Sequence, residues 1–172
     1  YMDRAALLGL AAVAIADENS VAGIVRAYTR AREIMRLVVE RKTFDQTTGL
    51  IGPPAPLGLK RSPSAQIYNV PRLLPAAKII LRDGLTATLL PKTRIGWSRL
   101  CRLISCGRLR VGKGACDIGL EDLLEFGNDQ LILLHAPQIQ NGQSGATAWQ
   151  SQARSLACRF SQDVMLLLAP AY

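Results

Sequence analysis

The alternation of apolar and polar positions divides the chain into a helical start, an extended middle, a compact centre and a mixed tail. From Ala5 to Ala16 twelve residues run apolar, broken only by Gly9 and flanked by Asp3–Arg4 and Asp17–Glu18. No basic leader precedes this run and acids follow it, so it predicts a buried helix over Arg4–Ala16 rather than a signal-peptide core. Ser20 is placed to cap a second helix reaching about Lys42, in which Val21, Ile24, Tyr28, Ala31, Met35, Val38 and Val39 recur at helical spacing. Arg26, Arg30, Arg36 and Arg41 decorate its other faces, as a solvated surface would.

Gly49 to Pro75 differs in kind, with Pro53, Pro54, Pro56, Pro63, Pro71 and Pro75 among Gly49, Gly52 and Gly58. Proline at that density removes backbone donors and fixes φ, which predicts a semi-rigid connector, with Lys60 and Arg61 in its middle. Beyond it, Ala76–Leu81 and Leu85–Leu90 are short apolar pieces separated by an Asp83–Gly84 turn. Trp97 to Cys106 has helical periodicity, with Leu100, Leu103 and Ile104 on one face and Gly107 placed to end it. Arg108–Val111 alternates charged and apolar like a half-buried strand, and Gly112–Gly114 reads as a turn. Leu131–Leu134 predicts a buried strand. Gln138–Ala148 is rich in Gln, Gly and Ser, and Trp149–Leu168 predicts a last helix.

Composition narrows the class. The chain has 172 residues, 49% of them apolar, and 21 Lys+Arg against 13 Asp+Glu, for a formal charge of +8. Mean hydropathy is +0.14, so charge without low hydrophobicity argues against intrinsic disorder. A chain of this size buries roughly 70% of its unfolded surface and needs no metal or disulfide staple. No apolar run approaches the ~20 residues of a membrane-spanning helix. Cys101, Cys106, Cys116 and Cys158 form no C-x-x-C pair and His135 is the lone histidine, so reduced structural thiols are expected, with no metal and no cofactor.

Charge is segregated along the chain. Lys92 to Cys116 holds Lys92, Arg94, Arg99, Arg102, Arg108, Arg110 and Lys113, seven basic residues in 25 positions, without one acid. The next 13 positions hold Asp117, Glu121, Asp122, Glu125 and Asp129. Such a window suits a phosphate backbone, since each neutralised phosphate releases counterions and arginine engages phosphate bidentately. The competing readings are a solvated basic face, or a patch answered by the acids that follow. Gly107 to Lys113 also matches seven positions of a phosphate-binding loop, but Gly114 stands where the magnesium-ligating hydroxyl belongs. Nucleophilic catalysis would need His135 with a cysteine, and no orienting group accompanies them, so no catalytic residue is expected.

Ser98-Arg99-Leu100-Cys101-Arg102-Leu103-Ile104-Ser105-Cys106-Gly107-Arg108-Leu109-Arg110-Val111-Gly112-Lys113-Gly114 resembles the core of the S-four RNA-binding domain, also called the alpha-L motif. Asp117–Ile118 and Gly127-Asn128-Asp129-Gln130-Leu131-Ile132-Leu133 occupy the places of its later strands, and the likeness extends over about Leu81–Leu134. The resemblance implies that Arg99, Arg102, Arg108 and Lys113 meet structured RNA, read by shape and phosphate position. With Lys92, Arg94, Ser98 and Arg110 as neighbours and Trp97 as a stacking platform, these nine residues form the expected site.

The expectation is therefore an α+β chain: a small S-four-like helix–turn–strand domain with N-terminal and C-terminal helical extensions. Its divisions are a helical extension over 1–44, a Pro-rich connector over 45–75, the RNA-binding domain over 76–136, and a linker with a helix over 137–172. The expected function is non-catalytic RNA binding within a ribonucleoprotein such as a ribosomal small subunit, intracellular and possible in an organelle such as the mitochondrion. Structured RNA and neighbouring proteins of the assembly would be its partners, with no transmembrane segment. The alternative is a structural subunit of another assembly, including a viral matrix or capsid-associated protein, using the patch on anionic membrane or protein.

Overall fold

A computed structural model describes the backbone of residues 1–48, 70–137 and 144–168, and the side chains of 1–40, 70–137 and 147–168. The chain is α+β. Its elements run α1 (Met2–Leu7), β1 (Ala12–Glu18), α2 (Ala22–Thr48), β2 (Arg72–Ile80), β3 (Thr86–Pro91), α3 (Arg94–Leu109), α4 (Leu120–Phe126), β4 (Gln130–His135), α5 (Ser144–Phe160) and β5 (Val164–Leu167). The strands form one mixed five-stranded sheet in the order β1-β2-β3-β4-β5. Two compact units are distinguished, one of Tyr1–Ile15 with Ala22–Leu74, the other of Ala16–Val21 with Pro75–Tyr172.

In the first unit the predicted helix over Arg4–Ala16 resolves into α1 and β1. Gly9 adopts φ +67°, and the Gly9 and Leu10 amides donate to the Ala6 and Ala5 carbonyls, closing α1 in a Schellman turn. Beyond that stop, Val13 and Ile15 alternate with exposed alanines, which is strand periodicity hidden inside a uniformly apolar run. Met2, Ala6, Ala27 and Ile34 form the core of this unit, with Val13, Ile15, Ala31, Val38, Val70 and Leu73 packed on it. The helix over 22–48 is present, but its buried stripe is Ala27, Ala31, Ile34 and Val38. Tyr28, Met35 and Val39, predicted to be buried, are exposed.

The second unit is built on β2 to β5. The β2–β3 pair is antiparallel from Ala77↔Leu89 to Ile80↔Thr86, joined by a turn in which Gly84 adopts φ +86° and its amide donates to the Leu81 carbonyl. The β3–β4 pair is antiparallel from Ala87↔Leu134 to Pro91↔Gln130, and β4 runs parallel to β5, with α5 making the crossover. Ala87 and Leu89 on β3, and Ile132 and Leu134 on β4, face a core completed by Leu100, Leu103, Ile118, Leu123 and Leu156. Pro75 lies inside β2, where the sequence predicts only a connector; it precedes the β3 register, which begins at Ala77. Residues 49–69 of that connector, Lys60 and Arg61 included, lie outside the described residues.

Three further differences concern the same unit. The predicted strand over Arg108–Val111 is absent: α3 continues through Gly107 to Leu109, and among the described residues no strand pairs with it. Gly107 serves close approach rather than termination, since a Cβ on it would lie 2.4 Å from Ile118 Cγ1, and its carbonyl accepts from the Asp117 amide at 2.9 Å. Helix α5 begins at Ser144 and stops at Phe160, where Ser161 takes φ +37°; Val164–Leu167 then pairs as β5 instead of extending a helix to Leu168. Residues 138–143 of the expected linker lie outside the described residues.

The first turn of α3 is as tightly packed as its last. Thr93 Oγ1 accepts from the Gly96 amide, the Gly96 carbonyl accepts from Gln130 Nε2 at 2.6 Å, and a Cβ on Gly96 would stand 2.3 Å from the Asp129 carbonyl oxygen. Ordinarily Gly→Ala inside a helix gains about 1 kcal/mol. Here Gly96→Ala is expected to lose about 1–3 kcal/mol through overpacking against backbone. Urea unfolding of the variant measures this, and a gain in stability would refute the close contact.

Candidate nucleic-acid interface

Helix α3 presents the window. Gly96, Leu100, Leu103, Ile104 and Gly107 are its buried stripe. At 100° per residue, Arg94, Ser98, Arg102, Ser105 and Leu109 fall on the opposite side, within an arc of about 80°, and all five are exposed. Thr93 at the N-cap satisfies a first-turn amide and fixes where the helix starts. Burial of the apolar stripe therefore decides which arginines reach solvent.

The acids after the window answer three of its seven basic residues. Lys92 Nζ donates to both carboxylate oxygens of Asp163 at 2.7 Å. Arg99 pairs with Asp129. Arg110 grips Asp122 bidentately, with Nη2 2.6 Å from Oδ1, and also donates to the Asp117 carbonyl at 3.2 Å. Arg108 Nη2 donates to the Asn19 carbonyl at 3.0 Å. Arg82, which the sequence reading left out of the site, ties Asp117 at 2.9 Å and Glu121 at 3.2 Å. Arg94, Arg102 and Lys113 have neither an ion pair nor a side-chain hydrogen bond among the described residues, and all three are exposed.

The nine expected site residues thus separate. Arg94, Ser98 and Arg102 share the solvent face of α3, and Lys113 lies in the turn beyond it. Arg94 and Arg102, eight residues apart, are separated by about 12 Å along the axis. Lys92, Arg99, Arg108 and Arg110 are held by protein partners. Trp97 is half-buried and packs on the core.

Asp122 is the buried member of the Arg110 pair and the third residue of α4. The Arg110 hydrogen bonds hold its carboxyl below the ordinary 3.8, opposed by burial and helped by the Gly119 amide, which donates to Oδ2 at 2.8 Å. The same pairing raises Arg110. Burial pushes the Cys101 and Cys116 thiols up, and all four cysteines are free. His135 is placed structurally: its Nε2 lies 2.9 Å from Thr88 Oγ1, and its carbonyl accepts from the Trp149 indole at 3.0 Å. Burial and Lys78 hold it below 6.5. Among the described residues no three His, Cys, Asp or Glu side chains form a metal-binding group, and no helix is long and apolar enough to cross a membrane.

No family model matches the chain. Over 98% of its length it is 35% identical to a protein named error-prone DNA polymerase from Ruegeria pomeroyi, of which it spans 15%. Over its whole length it is 32% identical to one of the same name from Rhodopseudomonas palustris, of which it spans 12%. An error-prone DNA polymerase 1 from Rhizobium meliloti is 35% identical over 73% of the chain. The chain therefore matches a minor part of much longer proteins.

These relatives overturn the S-four resemblance, the ribosomal or organellar ribonucleoprotein and the structured-RNA partner, since they carry the name of a DNA polymerase. The alternative of a viral matrix or capsid subunit is corrected on the same ground, and so is the expectation of a non-catalytic protein, because that name is an enzyme's. The structure supplies a physical reason for the false likeness: the expected strand over Arg108–Val111 begins inside α3, which runs to Leu109, and continues as a turn.

The Asp122 contacts predict a pH dependence. With its folded carboxyl below 3.8, the unfolded chain binds more protons in the acid range, so this stability is complete above about pH 5 and disappears as pH falls through the lower folded value. Asp122→Asn removes the charge at every pH. Wild type is expected to exceed the variant in urea stability at neutral pH and to lose that advantage progressively as pH falls below the ordinary 3.8; a constant difference across that range contradicts the pairing.

Proposed function

We propose that this chain is a segment of a DNA polymerase that copies with low fidelity, and that it lends Arg94, Arg102 and Lys113 to the DNA backbone. The observation that carries the first part is similarity along 98% and 100% of the chain to proteins named error-prone DNA polymerase. What supports the second is the division of the basic window into residues held by protein acids or, for Arg108, a backbone carbonyl, and three exposed cations with no such partner among the described residues. Contacts of this kind position a duplex or a template strand without reading its sequence. Ser98, short and exposed between the two arginines, and Ser105, just beyond Arg102, let a backbone approach the helix surface.

Two measurements test these parts separately. The polypeptide encoded by the complete reading frame around this chain is expected to extend a primer on a DNA template and to misinsert readily; no extension would refute the polymerase assignment. For the segment itself, duplex DNA binding is titrated over salt. Replacing Arg94, Arg102 and Lys113 by Ala is expected to lower the log–log salt slope by between two and three, at about 0.9 per phosphate contact. Arg154→Ala removes an equally exposed charge from α5 and should leave the slope nearly unchanged. Equal effects of the two sets would refute the α3 face as the contact.

A further inference from the structure

Helix α2 carries two apolar stripes. Ala27, Ala31, Ile34 and Val38 pack into the core of the first unit. About 110° around the helix from that stripe, Val25, Tyr28 and Met35 are 67%, 56% and 55% exposed, and Val39 continues the line at 57%. With Arg32 the positions 25, 28, 32, 35 and 39 alternate steps of three and four, the seam spacing of a coiled coil. Single exposed apolar residues are ordinary, but an aligned set over about 21 Å of helix is not. A surface helix ordinarily needs one apolar stripe.

Charge specifies what fits there. Arg32 stands in the middle of the seam with its guanidinium 5.9 Å from the Tyr28 ring centroid. The nearby acids are engaged elsewhere: Glu33 with Arg30 at 2.6 Å and Glu40 with Arg36 at 3.5 Å. Covering the seam with a purely apolar helix would desolvate a guanidinium without compensation. A carboxylate opposite Arg32 answers it bidentately. A second copy of α2 would instead bring two such arginines to one seam and no acid.

We propose that the exposed stripe of α2 docks an amphipathic helix with apolar residues at heptad spacing and a carboxylate facing Arg32. The mode is a helix laid along a helix, with apolar anchors for affinity and one charge pair for register. It is independent of the DNA contacts assigned to α3.

The test uses the 172-residue chain and two synthetic three-heptad peptides with leucine at the seam positions, identical except for Glu or Lys at the centre. The Glu peptide is expected to bind about tenfold or more tighter than the Lys peptide, with the preference inverted for Arg32→Glu. Met35→Asp should abolish binding of both. Both substitutions fall on exposed positions, and unchanged far-UV circular dichroism verifies the fold. Equal binding of the two peptides, or binding of neither, overturns the proposal. So does a concentration-dependent dimer of the chain that Met35→Asp dissolves, which would assign the stripe to a second copy.

Discussion

Close packing of α3 is the constraint on which the second unit depends. Gly96 and Gly107 allow backbone from Asp129 and Asp117–Ile118 to come against the two ends of the helix, where a methyl group would collide. Leu100, Leu103 and Ile104 fill the space between. Once those contacts are made the helix cannot rotate, and Arg94 and Arg102 are held on the side opposite the buried stripe. Surface chemistry on α3 is thus a consequence of core packing rather than an independent feature.

The same packing brings the acids home. Asp117, Asp122 and Asp129 follow the basic stretch in the chain and fold back onto it, meeting Arg82, Arg110 and Arg99 respectively. A window that looks like an uninterrupted positive field in one dimension is a set of local pairs in three. The half-exposed pairs contribute little to stability individually. Asp122 differs because its carboxylate is buried and also receives the Gly119 amide at the start of α4. What remains outward after this pairing is a small group of cations.

The apolar face of α3 at Leu100, Leu103 and Ile104 was legible because its period is unambiguous, and the strand at Leu131–Leu134 because a short apolar run lies between polar Gln130 and His135. Ala5–Ala16 was not, since an unbroken apolar run carries no period, and only the left-handed backbone at Gly9 separates helix from strand. Val164–Leu167 follows a long helix without proline or glycine, and its strand character comes from pairing with β4 beyond the reach of local sequence. On α2 the two stripes compete, and which one is buried is settled by α1 and β1 rather than by α2 itself. The basic window was legible as composition. Its division into paired and outward residues was not, because Arg99–Asp129 and Lys92–Asp163 join positions 30 and 71 apart. The acidic stretch at 117–129 was the available signal for that pairing.

The claim that only part of the basic window is available to DNA can be tested residue by residue with an arginine-selective reagent such as phenylglyoxal, mapped by mass spectrometry with and without duplex DNA. Arg94 and Arg102 are expected to react quickly in the free protein and to be protected by DNA, while Arg99 and Arg110 react slowly in both conditions. Fast reaction of Arg99 and Arg110, or no protection of Arg94 and Arg102, would contradict the account.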